Sequence, residues 1–183
     1  MLVQIGGFLL EALFGFFVFL VLLRFLLQSF KVPFRNPIGQ FTIALTDWIV
    51  KPLRRVVPPF RQHDLASLVA AWLLIVVKLL LLMLLVGIAV SVSGLLVHSI
   101  LDLVGDLLRL IMLIVIVHVI ISWINPHHPL GYIFDMLTRP FYRLFRFIKP
   151  VGQFDLSPLF LLLAINVLLI VLNAVEPKLL AAL

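Results

Sequence analysis

Lys78 stands in the middle of the apolar run LLIVVKLLLLM. A charge inside hydrocarbon is expensive, so such a residue marks a buried ion pair or a path for a solute, ion or proton. Five more polar side chains interrupt apolar runs: Glu11, Arg24, His118, Asn166 and Asn173. At 1.5 Å per residue, Glu11 lies roughly 12 Å and Lys78 roughly 15 Å from the outer ends of their runs. A Glu11–Lys78 pair is therefore expected, with His118 and Asn166 at similar depth, as one polar cluster. Its role is either to fix helix packing or to serve a pathway. A lysine reaching out to the membrane surface is the third reading, weakened by the central depth. One lysine, one glutamate and one histidine are few for a relay, and no apolar run is broken by proline or paired glycines as transporter sites often are.

Other groups have weaker claims to chemistry. His127-His128 forms a dyad at a Pro-flanked turn with no carboxylate or cysteine beside it, so no metal site is expected. Asp64 and Asp155 each precede an apolar run, followed by Ser67 or by Ser157-Pro158, and read as helix N-caps. No glycine-rich phosphate loop is present. The chain has no cysteine, which removes disulfides, thiolate metal sites and thiol nucleophiles. No cofactor is expected.

The elements that must position these groups are apolar helices. Of 183 residues, 64% are hydrophobic and 12% charged, against about 45–50% and roughly 25% in soluble domains. Mean hydropathy is +1.27. Four runs reach the roughly 20 residues needed to cross a bilayer: 2–27, 65–90, 107–124 and 159–175. The first lacks a basic leader and an Ala-x-Ala site, so it is expected as a permanent anchor rather than a signal peptide.

Between these runs the chain repeats itself. NPIGQFTIALTDWIVKPLRRVVPP, from Asn36, is followed 92 positions later by PLGYIFDMLTRPFYRLFRFIKP aligned on Pro37 and Pro129. Thr46 then matches Thr138, Lys51 matches Arg143, and Arg54 matches Arg146. A fixed-period repeat is read before any other feature. It divides the chain into repeat 1 (1–90, with a basic segment 28–64), an outer connecting loop with a partly helical, amphipathic approach to span three (91–106) and repeat 2 (107–183, with a basic segment 125–157). The loop assignment rests on Gly94, His98, Asp102, Gly105 and Asp106.

In the basic segments apolar residues recur every three or four positions, as in Ile38, Phe41, Leu45, Trp48 and Ile49, with cations between them. This pattern predicts helices lying in the membrane interface, kinked or broken at Pro52 and Pro140. Lys51, Arg54, Arg55, Arg143, Arg146 and Lys149 form two platforms. Each cation near an anionic leaflet contributes about 1 kcal/mol. The plainer reading is that these cations only orient and anchor the chain. Lys and Arg crowd the two repeat segments and are absent between spans two and three. Both segments are therefore expected in the cytoplasm, with both termini outside. The two modules then share one orientation. Nucleic acid is a poorer partner, since no recognition motif is present and the aromatics take the membrane-facing side.

LLRFLLQ at 22–28, NPIGQF at 36–41, KPLRRVVPP at 51–59 and HDLASLVA at 63–70 resemble the first repeat of the YggT family. ISWINP at 121–126, TRPFYRLFRFIKP at 138–150 and FDLSPL at 154–159 resemble its second. The second copy departs from the family's Pro-Ile/Leu-Arg-Arg core, reading Leu144-Phe145-Arg146-Phe147. The resemblance implies a small bacterial inner-membrane protein with no assigned enzymatic activity. Its bacterial members are associated with osmotic-stress tolerance and ion homeostasis. Those of cyanobacteria and plastids are associated with cytochrome complex assembly and with organisation of division or nucleoids.

The combined expectation is an all-α protein of the bacterial inner membrane with four transmembrane helices in two parallel repeats. It is not an enzyme. It acts as a scaffold, assembly or stress-tolerance factor whose platforms bind anionic lipid or a membrane-protein partner. The alternative is an oligomeric ion or osmolyte channel, in which the partner is a second copy of the chain.

Overall fold

The computed structural model describes residues 1–58, 64–87, 91–125, 128–145 and 156–181. The order is α1 (Leu2–Ser29), α2 (Pro37–Val56), α3 (Leu65–Val86), α4 (Val92–Ile124), α5 (Pro129–Tyr142), a 3-10 turn (Arg143–Phe145) and α6 (Ser157–Ala181). Helices α1, α3, α4 and residues Ser157–Leu179 of α6 are long and apolar enough to cross a membrane. Most of their side chains face outward, as expected where lipid, not water, is the solvent.

Local signals set the ends. After α1 the backbone turns left-handed at Lys31 (φ 57°), and the Val32 N–H returns to the Leu27 carbonyl at 2.8 Å. This six-residue loop-back is the usual way to satisfy the last carbonyls of a helix. Asn36 caps α2, its Oδ1 accepting the Gly39 N–H at 2.8 Å, with Pro37 in the first turn. Gly39 is required sterically, since a Cβ there would stand 2.8 Å from Phe34 Cα. Gly87 ends α3 in the left-handed region (φ 75°), and the Ser91 hydroxyl caps α4 by accepting the Gly94 N–H.

α4 corrects one expectation. Residues 91–106 are helical almost throughout, not only on the approach to span three: one helix runs from Val92 to Ile124. The composition that suggested a loop is used for packing. Gly94, Ser99 and Gly105 are buried small residues that let helices approach closely. Neither proline breaks its helix where expected. α2 continues through Pro52 to Val56, and α5 through Pro140 to Tyr142. Each proline removes one backbone hydrogen bond near a helix end, where the remaining turn holds.

α1 packs chiefly on α3, and α4 on α5, α6 and α3, while α2 lies against α1 and α3. The buried centre joins Val21 and Leu22 of α1, Ala70 and Ile75 of α3, and Ile114 and Val115 of α4. Phe30, just past α1, meets Phe141 of α5 edge to face at 5.5 Å. The core is concentrated in the half of α1 that leads into α2. The first half of α1 is largely exposed, with Phe8 70% and Leu13 56% accessible.

Candidate functional site

The first polar junction joins α1 to α2. Arg24 is 3% exposed. Its Nη1 donates to Thr46 Oγ1 at 2.8 Å and to Asp47 Oδ1 at 2.9 Å. Thr46 in turn donates to the Thr42 carbonyl at 2.6 Å. Lys51 approaches the other Asp47 oxygen at 2.7 Å. Burial pushes the Asp47 carboxyl up, but hydrogen bonds from Lys51 and Arg24 outweigh it and hold the carboxyl below its ordinary value.

A second junction joins α1, α2 and α3. Asp64 is fully buried. Arg54 pairs with it, and donates to Gln28 Oε1 at 2.6 Å. The Ser67 hydroxyl donates to Asp64 Oδ2 at 2.7 Å. Burial again raises this carboxyl, and the hydrogen bonds from Arg54 and Ser67 bring it below the ordinary range. Asp64 does hold the N-cap position of α3, but its side chain caps no backbone N–H. The carboxylate is already taken by Arg54, a stronger, charge-assisted partner.

In the second half, His118 of α4 lies 3.1 Å from both Thr138 Oγ1 and Tyr142 Oη on α5, with its ring stacked on that of Tyr142. Thr46 and Thr138, matched in the sequence, thus each receive a polar side chain from the preceding long helix. His118, His128, Tyr132 and Asp135 line an open cleft of about 460 Å³ between α4 and α5.

The expected cluster of Glu11, Lys78, His118 and Asn166 is not assembled. Lys78 pairs with Asp102 of α4 at 3.2 Å, not with Glu11. Glu11 is exposed on α1. Asn166 is exposed on α6 and donates to the Leu162 carbonyl of its own helix at 2.9 Å. The Lys78–Asp102 pair follows from the helical course of 91–106, which folds α4 back along α3 so that both residues lie about ten positions from the turn. His98 faces Glu176 of α6 beside it. His98, Asp102 and Glu176 hold their ligand atoms within 4.8 Å of one another. Each already has a partner of opposite or titratable charge, so the group reads as a junction of α3, α4 and α6 rather than a metal centre.

Of the platform residues, Arg54 is engaged inward, while Lys51, Arg55 and Arg143 are exposed. Arg146, Lys149 and Asp155 lie outside the described residues. The outward side of α2 also carries Phe41 and Trp48, 53% and 60% exposed. Asp47 is the junction residue that the sequence reading did not single out, while Arg24, Thr46 and Asp102 were noted there without a partner. The repeated threonine was the available signal for Arg24, Thr46 and Asp47.

Together these features define a multi-pass, all-α membrane protein whose polar groups tie helices together instead of converging on a reacting atom. The CCB3/YggT family pattern matches residues 3–85 and 97–175, and the chain belongs to that family. An uncharacterized protein of Pseudomonas aeruginosa is 35% identical over 172 residues, 91% of this chain and 87% of the relative. The uncharacterized protein YggT of Escherichia coli K12 is 33% identical over 165 residues, covering 88% of this chain and 85% of its own. A Vibrio alginolyticus protein described by its position 3′ of proC is 33% identical over 164 residues, 87% of this chain and 89% of its own. No solved structure matches the chain. The chain has no cysteine.

Proposed function

We propose that the protein is a non-enzymatic scaffold of the bacterial inner membrane that presents α2 and α5, one in each of two like-oriented repeats, to anionic lipid and to membrane-protein partners. The observation that carries this reading is the two-sided character of α2. Its inward side is fastened to the bundle through Arg24, Thr46 and Arg54. Its outward side leaves Phe41, Trp48, Lys51 and Arg55 exposed in that order along the helix. Aromatics beside cations suit a helix seated at headgroup level. The competing channel reading draws less support, because the Lys78 and Asp102 charges neutralise one another across α3 and α4.

Neutralising the outward cations tests the scaffold. Lys51→Gln/Arg55→Gln in the full-length chain leaves the inward Arg54 junction intact. Arg54 itself is unsuitable, since its loss would disturb the fold. After in-cell cross-linking and mild-detergent purification, the variant is expected to retain anionic lipid roughly fivefold less per charge removed. A stoichiometric membrane partner is expected to be lost with it. Unchanged lipid and partner content, with unchanged melting, would count against the platform.

A further inference from the structure

Two charged side chains, Glu11 and Arg109, stand exposed on the α1–α4 side of the bundle. Arg109 of α4 has a side chain 53% exposed and, among the described residues, one ion-pair partner, Asp106 of its own helix at 2.9 Å. Glu11 of α1 is exposed and, among the described residues, has no ion-pair partner. Asp106 occupies one nitrogen of the Arg109 guanidinium, which leaves its other N–H donors, and the whole Glu11 carboxylate, to be met from outside the bundle.

The geometry selects what meets them. Arg109 leans back along α4, its Nη1 3.3 Å from where a Cβ of Gly105 would stand. The charged head therefore lies at the level of Gly105. At 1.5 Å per residue, Gly105 stands about 29 Å from the end of α4 at Ile124, and Glu11 about 27 Å from the end of α1 at Ser29. Both ends lead into the short helices α2 and α5, so the two charges lie at nearly one depth. They also share a side. Arg109 and Gly15 line one crevice of about 230 Å³ between α1 and α4, and Glu11 is one turn along the α1 face from Gly15. Gly15 leaves open space around its Cβ direction.

Glu11 and the Arg109–Asp106 pair, at equal depth on one side, are self-complementary under a two-fold axis along the membrane normal, since Arg109 keeps donors for a second carboxylate. Such an axis sets Glu11 of each copy against Arg109 of the other. We infer that this side is the interface of a homodimer, with a second copy of the chain as its occupant and paired Glu11–Arg109 contacts as its polar core. This inference is independent of the scaffold reading, which concerns the other end of the molecule.

Subunit counting by single-molecule photobleaching, on full-length protein in phosphatidylethanolamine–phosphatidylglycerol vesicles, tests it. Wild type is expected to be dimeric. Glu11→Lys and Arg109→Glu should each weaken the dimer at least about tenfold, by placing like charges together. The swap Glu11→Lys/Arg109→Glu should restore it. The absence of native cysteine provides a second measurement that leaves both charges in place. Differently tagged Phe16→Cys and Leu113→Cys chains, exposed and at nearly one depth, should when co-expressed cross-link to each other with a short bis-maleimide. A monomeric wild type, a dimer indifferent to either reversal, a swap that fails to restore, or no cross-link between the two cysteine chains would each overturn the interface.

Discussion

Arg54 has two very different jobs depending on what stands opposite it. As a loop cation it would face lipid; opposite buried Asp64 and Gln28 it holds three helices together. The Asp64 carboxyl is held below its ordinary value of 3.8, so its contribution to stability is fully present above that value. That contribution is lost as pH falls through the lowered folded value. Asp64→Asn is therefore expected to lose about 1–3 kcal/mol at neutral pH, since Arg54 keeps some solvent and the buried site loses its charge-assisted bonds. Melting in mild detergent across pH should show wild type converging on the variant only in strong acid. Equal melting at pH 7 would remove the clamp from the account. The same logic separates what was legible from what was not. Lys78 stood out because an isolated charge in an apolar run is visible in one dimension. Asp102 did not, because its partner is 24 positions away and the pairing needs the course of α4.

At the scale of elements, the junction before α2 is the most constrained. A methyl group at Gly39 would meet the Phe34 backbone, Cα at 2.8 Å and the carbonyl oxygen at 3.0 Å. Backbone cannot step aside as a side-chain tip can, so Gly39→Ala should cost about 1–3 kcal/mol. Gly7→Ala is the control, since its Cβ would meet only a Leu82 methyl at an ordinary 3.9 Å. Equal thermal stability of the two variants would mean that the turn is not as tight as drawn. The spans were readable because length and apolarity are local properties. α2 and α5 were readable because their apolar residues recur at helical spacing. The helix over 92–106 was readable only on its approach to span three, because glycine, aspartate and histidine score as turn formers until the surfaces they pack against are known. Ser99 receives Trp72 at 3.0 Å, and Asp102 receives Lys78; both donors lie on α3.

At the scale of the whole molecule, the distribution of cations decides which way the bundle sits. Lys31, Arg35, Lys51, Arg55 and Arg143 are all exposed around α2 and α5. The positive-inside tendency counts lysines and arginines near span ends, largely regardless of nearby acids. Pairing of Lys51 with Asp47 or of Arg139 with Asp135 therefore does not weaken the signal. Against it stands Lys178, in the last turn of α6. One lysine does not balance five or more, so α2 and α5 are expected in the cytoplasm. The end of α6 and the α3–α4 turn are then outside. A reporter that matures only outside the cytoplasm should be active when fused after α6 and silent when inserted after Val57, and a cytoplasmic fluorescent reporter should give the converse. Cytoplasmic fluorescence from the α6 fusion would reverse the molecule. It would carry the exposed face of α2 to the opposite leaflet and, with it, end the case for a cytoplasmic platform, while the Glu11–Arg109 contact, fixed by depth rather than by orientation, would stand unchanged.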